Sequence, residues 1–203
     1  MNEHLIRLYG SNSELDHTFP VPIFGSWPSK GSYLVIRIKD LLKHRTEFLK
    51  LEIKWLGLPD NLNDYYKEYE PDYLLGNQSY LVNFSIGFSD KYYQINKIPL
   101  KLFDEDTSGF ISPKSTFQLE IQNIVLLNPE LERNGNLEDE FDGKLKMTLI
   151  SPEVAFGHSV FPKLYSETIM KNERFFMRIL KQKINLPNPP IIPIAKEVTI
   201  YSK

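Results

Sequence analysis

Polar and apolar residues alternate with a period of two along much of this chain, the period of a β-strand, whose successive side chains point to opposite faces. The run 48–55 shows it best: Leu49, Leu51, Ile53 and Trp55 fall on one side, Lys50, Glu52 and Lys54 on the other. A sheet with one dry and one wet face requires that arrangement. Tyr33–Ile38 is rich in β-branched residues and reads as another strand. Further strands are predicted over 80–88, 91–95, 100–103, 116–125 and 144–150; in the last, Leu145, Met147 and Leu149 alternate with Lys144, Lys146 and Thr148. A final strand is predicted over 197–201. Short strands at this spacing predict a mainly β fold, an antiparallel β-sandwich.

One segment changes period. From residue 159 to 183, Phe161, Leu164, Tyr165, Thr168, Ile169, Phe176, Ile179 and Leu180 recur at helical intervals and predict one long amphipathic helix. Ser159 is placed to cap its start, and Pro162 falls in the first turn, where amide groups lack partners anyway. Lys181 and Lys183 lie at the negative end of its dipole. The stretch 186–193 that follows is interrupted by Pro187, Pro189, Pro190 and Pro193, and reads as extended, polyproline-like chain. Asp40–His44 predicts a single helical turn, and Leu58–Tyr66 a short helix or a loop.

Residues 1–30 read as an N-terminal arm or lead-in. Apart from an apolar patch over 5–9 they are dense in Gly, Pro, Asn and Asp, and one strand of them is expected to add to something else. Residues 31–203 read as the sandwich domain, with the helix as an excursion from it.

Composition narrows the classes of function. A chain of 203 residues buries roughly 70% of its unfolded surface, and 41% hydrophobic against 25% charged residues is globular usage. The net charge of −2 argues against binding nucleic acid or an anionic membrane through bulk charge. The absence of cysteine excludes disulfides, thiolate metal sites and cysteine nucleophiles. The longest aliphatic run, Ile124–Leu127, is far short of the ~20 residues of a membrane span. No basic region followed by an apolar one opens the chain, so synthesis in the cytoplasm without direct membrane insertion is expected.

Candidate chemistry is sparse. Asp104–Gly109 matches the opening of a calcium loop, but the bidentate Glu such a loop needs is replaced by Ser115, and Pro113 interrupts it. It reads as an acidic turn between strands. His4, His17, His44 and His158 are scattered and form no metal-ligand spacing. His158, between Gly157 and Ser159, reads as a hydrogen-bonding residue at the helix start, because no nucleophile elbow accompanies it. Glu138, Asp139 and Glu140 supply carboxylates from a loop where all would stay solvated, unlike the opposed pair of a glycosidase. No metal, cofactor or catalytic residue is expected. The acidic stretch 128–142 and the basic helix read as solvated faces, or as patches that meet opposite patches on neighbouring subunits.

Three stretches carry a more specific resemblance. The first is Phe24–Tyr33 followed by Lys39–Leu42. The second is Ile53–Tyr69, with Trp55, Gly57, Leu58 and Pro59 ahead of Tyr65, Tyr66 and Tyr69. The third runs from Leu149 through Pro152, Glu153, Ala155, Phe156, Gly157 and His158 to Pro162, and continues to the Pro187–Pro190 segment and the terminal strand. In order and spacing, from about residue 20 onward, these resemble a portion of the baseplate J-like wedge proteins of phage-tail-like contractile injection systems, which include antifeeding-prophage-type particles and the type VI subtype of Bacteroidetes-like bacteria. Members of that family run several times longer, so the resemblance implies a single module of the wedge.

It implies a structural, non-catalytic role: binding other wedge and hub subunits, in a particle assembled in the cytoplasm and then released or anchored at the membrane. The motif residues, with a possible interface role, are Trp55, Gly57, Leu58, Pro59, Tyr65, Tyr66, Tyr69, Phe156, Gly157, His158, Pro187 and Pro190. The three tyrosines suit either an interface patch or a lid over the sandwich. A carbohydrate-binding or adhesin sandwich is the first alternative, and a small hydrolase using the acidic loop the second.

Overall fold

A computed structural model of the chain describes residues 2–11, 14–15, 20–41, 48–88, 91–103, 116–122, 141, 143–173 and 184–202. Among the described residues twelve strands form two antiparallel sheets. They are β1 (Asn2–Glu3), β2 (Ile6–Tyr9), β3 (Glu14–Leu15), β4 (Val21–Pro22), β5 (Tyr33–Ile38), β6 (Phe48–Leu56), β7 (Leu81–Phe88), β8 (Lys91–Gln94), β9 (Leu100–Lys101), β10 (Thr116–Gln122), β11 (Gly143–Ser151) and β12 (Ile194–Ser202). Helix α1 is Leu62–Tyr65 and α2 is Phe161–Glu173.

The first sheet runs β1-β12-β6-β10, with β4 pairing the start of β12. The second runs β3-β2-β5-β11-β7-β8, with β9 on the same edge of β7 as β8. Alternation sets the facing sides. Leu49, Leu51 and Ile53 of β6 lie opposite Ile121, Leu119 and Phe117 of β10, and all six are buried. From the other sheet come Leu34, Ile36 and Ile38, Val82, Phe84 and Ile86, and Leu145, Met147 and Leu149, each 0% exposed. Phe84 of β7 stacks on Phe117 of β10, ring centroids 5.4 Å apart, which joins the two sheets. In β12 a register shift between Ala195 and Glu197 lets Ala195 and Ile200 both be buried despite their odd spacing.

The fold is therefore the antiparallel sandwich that the alternation predicts. The segment that reads as a lead-in is woven into it. β1 and β4 pair with β12 in one sheet, and β2 pairs with β5 in the other. Ile6, Leu8, Val21, Ile23 and Phe24 are buried in the common core. His4 ties the two sheets: its Nε2 lies 2.6 Å from the Ser202 hydroxyl of β12, and its Nδ1 lies 3.1 Å from the Lys39 carbonyl beyond β5. The turn-rich composition of 1–30 reflects strands of two to four residues that change sheets quickly, too short to show a period.

The helix begins at Phe161, its first turn closed by the Phe161 N–H donating to the Gly157 carbonyl at 2.9 Å. Ser159, read as the cap, is exposed in the turn before it. Pro162 sits in the first turn, as expected. Residues 174–183 of the predicted helix, the 104–115 calcium-like loop, Glu138–Glu140, His17 and His44 lie outside the described residues. No helix among the described residues is long and apolar enough to cross a membrane.

Candidate functional site

Tyr65, Tyr66, Tyr69, Phe156 and Gly157 converge with the proline-rich return path where the chain crosses from β11 to β12 through α2, whereas Gly57, Leu58 and Pro59 take no part in these contacts among the described residues. The proline-rich return path lacks the N–H groups of Pro187, Pro189, Pro190 and Pro193, so it cannot extend a sheet ladder, while its carbonyls still need donors. Tyrosine hydroxyls supply two of them, and the Ile23 N–H supplies a third, to the Pro193 carbonyl at 3.2 Å. Tyr69 donates to the Asn188 carbonyl at 2.8 Å and Tyr65 to the Pro189 carbonyl at 2.9 Å. The Asn188 side-chain amide answers by donating to the Tyr65 carbonyl at 2.8 Å. The Tyr66 hydroxyl donates to the Phe156 carbonyl at 3.0 Å and accepts from the Ile191 N–H at 3.1 Å. It thereby bridges the β11–α2 corner to the strap.

Helix α1 presents these rings. Asn61 caps it, its side-chain oxygen accepting from the Asp64 N–H at 3.1 Å. Asn77 holds the same turn from the other side, accepting from the Leu62 N–H at 2.6 Å. Tyr65, Tyr66 and Tyr69 then pack edge to face, with centroids 5.2 and 4.9 Å apart. Beneath them Tyr80 stacks on Phe156 at 4.5 Å and meets Phe103 edge-on at 5.4 Å, and Phe103 in turn meets Trp55. Burial pushes the Tyr66, Tyr69 and Tyr80 phenols well above the ordinary phenol range, so all three stay protonated, Tyr66 and Tyr69 as donors.

Gly157 is the pivot of the corner. Its φ is +89°, and a Cβ there would lie 2.9 Å from the Tyr69 ring and 3.2 Å from Leu75. Gly57, with φ +70° after β6, meets open space instead.

Tyr66, Tyr69, Phe156, Gly157, His158 and Pro187 are buried in the chain's own body. Trp55, Leu58, Pro59, Tyr65 and Pro190 are half-buried, and Gly57 is exposed. Tyr66 and Tyr69 are thus packed inside the body, with Tyr65 half-buried beside them. Asn185, donating to Glu68 at 3.1 Å, and Asn188 complete the clasp. Both escaped the sequence reading. The available signal was Asn188 standing between two prolines, where backbone donors are scarce and a side-chain amide adds one.

His158 does not fill the hydrogen-bonding role expected of it at Nδ1, which is buried and has no partner among the described residues. Its ring packs on Trp27, centroids 5.3 Å apart. Burial lowers its pKa, and the sign follows from linkage: the unfolded chain takes up the proton first, so stability is full above about pH 6.5 and declines as pH falls below it. His158→Gln should flatten that part of the stability profile between pH 7.5 and 5, read by thermal unfolding; an unaltered slope would assign the titration elsewhere.

Among the described residues no group of three or more His, Asp or Glu side chains is placed to hold a metal ion. No protein-family model matches the chain, and a search of the curated proteins finds no match.

Proposed function

We propose that this chain is a structural module of a multi-protein particle, of the baseplate-wedge kind its motifs resemble, positioned by contacts with sister wedge and hub subunits and carrying out no turnover. The observation that carries this reading is the outer side of α2. Phe161, Leu164 and Thr168 anchor the helix, while Tyr165, Ile169 and Met170 are exposed, with Ile184 and Leu186 of the return path exposed as well. The Asn172 side chain holds that path against the helix, accepting from the Ile184 N–H at 2.8 Å and donating to its carbonyl at 2.9 Å. Large apolar side chains held out on a pinned scaffold are the composition of an interface core.

Co-expression with candidate wedge and hub proteins should yield a larger complex by size exclusion. Ile169→Asp combined with Met170→Asp should weaken it at least tenfold, about 1.4 kcal/mol, and leave thermal stability of the isolated chain unchanged, since both positions are exposed. A chain that stays monomeric with every such partner, or a double variant that assembles normally, overturns the reading.

A further inference from the structure

We propose that the groove beside Trp27 binds a neutral saccharide, with a pyranose ring lying on the indole face. Trp27 is 64% exposed, the most exposed aromatic ring among the described residues, yet the loop that carries it is firmly held. Pro28 beside it is buried. The Gly25 N–H donates to the Pro22 carbonyl at 2.9 Å, the Gly31 N–H to the Leu149 carbonyl at 2.8 Å, and the Leu149 N–H to the Ser32 carbonyl at 2.9 Å. Positive φ at Gly25 (+80°) and Gly31 (+89°) makes the two tight reversals possible. His158 backs the indole at 5.3 Å. An aromatic face presented on a pinned loop is pre-organised, so little ordering cost falls on binding.

The groove has a volume of about 620 Å³, within the range of small-molecule sites, and Trp27, Tyr33, Ser11, Ser26, Ser29 and Lys30 are among its walls. Its chemistry selects the ligand. Lys30, the one charged side chain among the described lining residues, is paired with Glu153. Hydroxyls dominate the polar wall, and they both donate and accept. The Ser11 hydroxyl accepts from the Tyr33 N–H at 3.2 Å and keeps its own proton to give. A ligand with one C–H face and a hydroxyl perimeter matches an indole ringed by serines, because the ring's negative face attracts the slightly positive C–H groups. A saccharide meets both conditions. This site lies apart from the outer side of α2, and its occupancy does not depend on the assembly reading.

The test uses maltotriose, cellotriose and chitotriose. The chain has two tryptophans, so in Trp55→Phe the emission excited beyond the tyrosine absorption band reports Trp27 alone. At least one trisaccharide should shift that emission saturably, with a Kd of about 1 mM. Saturation-transfer NMR on the unaltered protein gives the same readout should Trp55→Phe fold poorly. Trp27→Ala should weaken binding at least tenfold without changing the melting temperature, and the Ile169→Asp, Met170→Asp double variant should bind sugar normally. No saturable response to any of the three sugars up to about 20 mM overturns the proposal. So does equal binding by Trp27→Ala, or saturation by a proline-rich peptide in place of all three sugars.

Discussion

Gly157→Val is expected to destabilise the chain by about 3 kcal/mol or more, a large share of the ~5–15 kcal/mol that holds a typical domain folded. Two penalties add. A side chain at φ +89° occupies backbone space that L-residues avoid, costing roughly 1–2 kcal/mol. The new Cβ also meets the Tyr69 ring at 2.9 Å, and that ring cannot swing aside, because its hydroxyl holds Asn188 and its edge packs on Tyr66. Gly57→Ala separates the two terms: its φ is +70° and its Cβ meets nothing within 4 Å, so only the backbone penalty applies. Urea unfolding of Gly57→Ala, Gly157→Ala and Gly157→Val should therefore rank them in that order of increasing loss. Equal losses for Gly57→Ala and Gly157→Ala would mean that the contact with Tyr69 does not constrain the corner.

The second large effect is expected at Tyr66. Tyr66→Phe keeps the ring and deletes one oxygen, leaving the Phe156 carbonyl and the Ile191 N–H without their partner. Each unsatisfied buried group costs ~1–3 kcal/mol, so the loss should be about 3 kcal/mol. Tyr65→Phe deletes a more exposed bond to Pro189 and should cost less than about 1 kcal/mol. Hydrogen exchange identifies the place: the Ile191 amide should exchange much faster in Tyr66→Phe, while amides within β6 change only with global stability. The same phenol predicts behaviour in alkali. Its folded pKa is raised by burial, so its contribution is complete below the unfolded value of about 10 and is lost as pH rises beyond it. The alkaline loss of stability should shrink in Tyr66→Phe. Were the alkaline profile unchanged, the hydroxyl would not be the bridge between corner and strap.

Much of the sandwich was legible residue by residue. The alternation Leu49, Leu51, Ile53 against Lys50, Glu52, Lys54 assigns faces correctly, because burying one side of a strand selects its residues at every second position. β5, β6 and β11 carry that pattern over six to nine residues, long enough to be read. The strands of the first 30 residues span two to four, so glycine and proline dominated the reading there, although Ile23 and Leu8 are core residues. At the candidate site the tyrosines and prolines stood out as unusual, but nothing in their spacing said that one would clasp the other. Trp27 falls in the turn-rich stretch of the first 30 residues, where nothing in the chain marks its ring, and only the folded chain reveals an exposed indole beside a groove.

Local chemistry written in the chain determined which stretches extend, which one coils, and that a strap containing Pro187, Pro189, Pro190 and Pro193 would lack its own ladder donors. Tertiary structure alone decided where those donors come from. The Tyr65 hydroxyl reaches a carbonyl 124 residues away, and the Tyr66 hydroxyl one 90 residues away. Periodicity reports the environment of a side chain and not the identity of its partner, since any buried face selects the same residue types. Partner choice follows from the path of the whole chain, which brings α1, the Gly157 corner and the strap to one end of the sandwich.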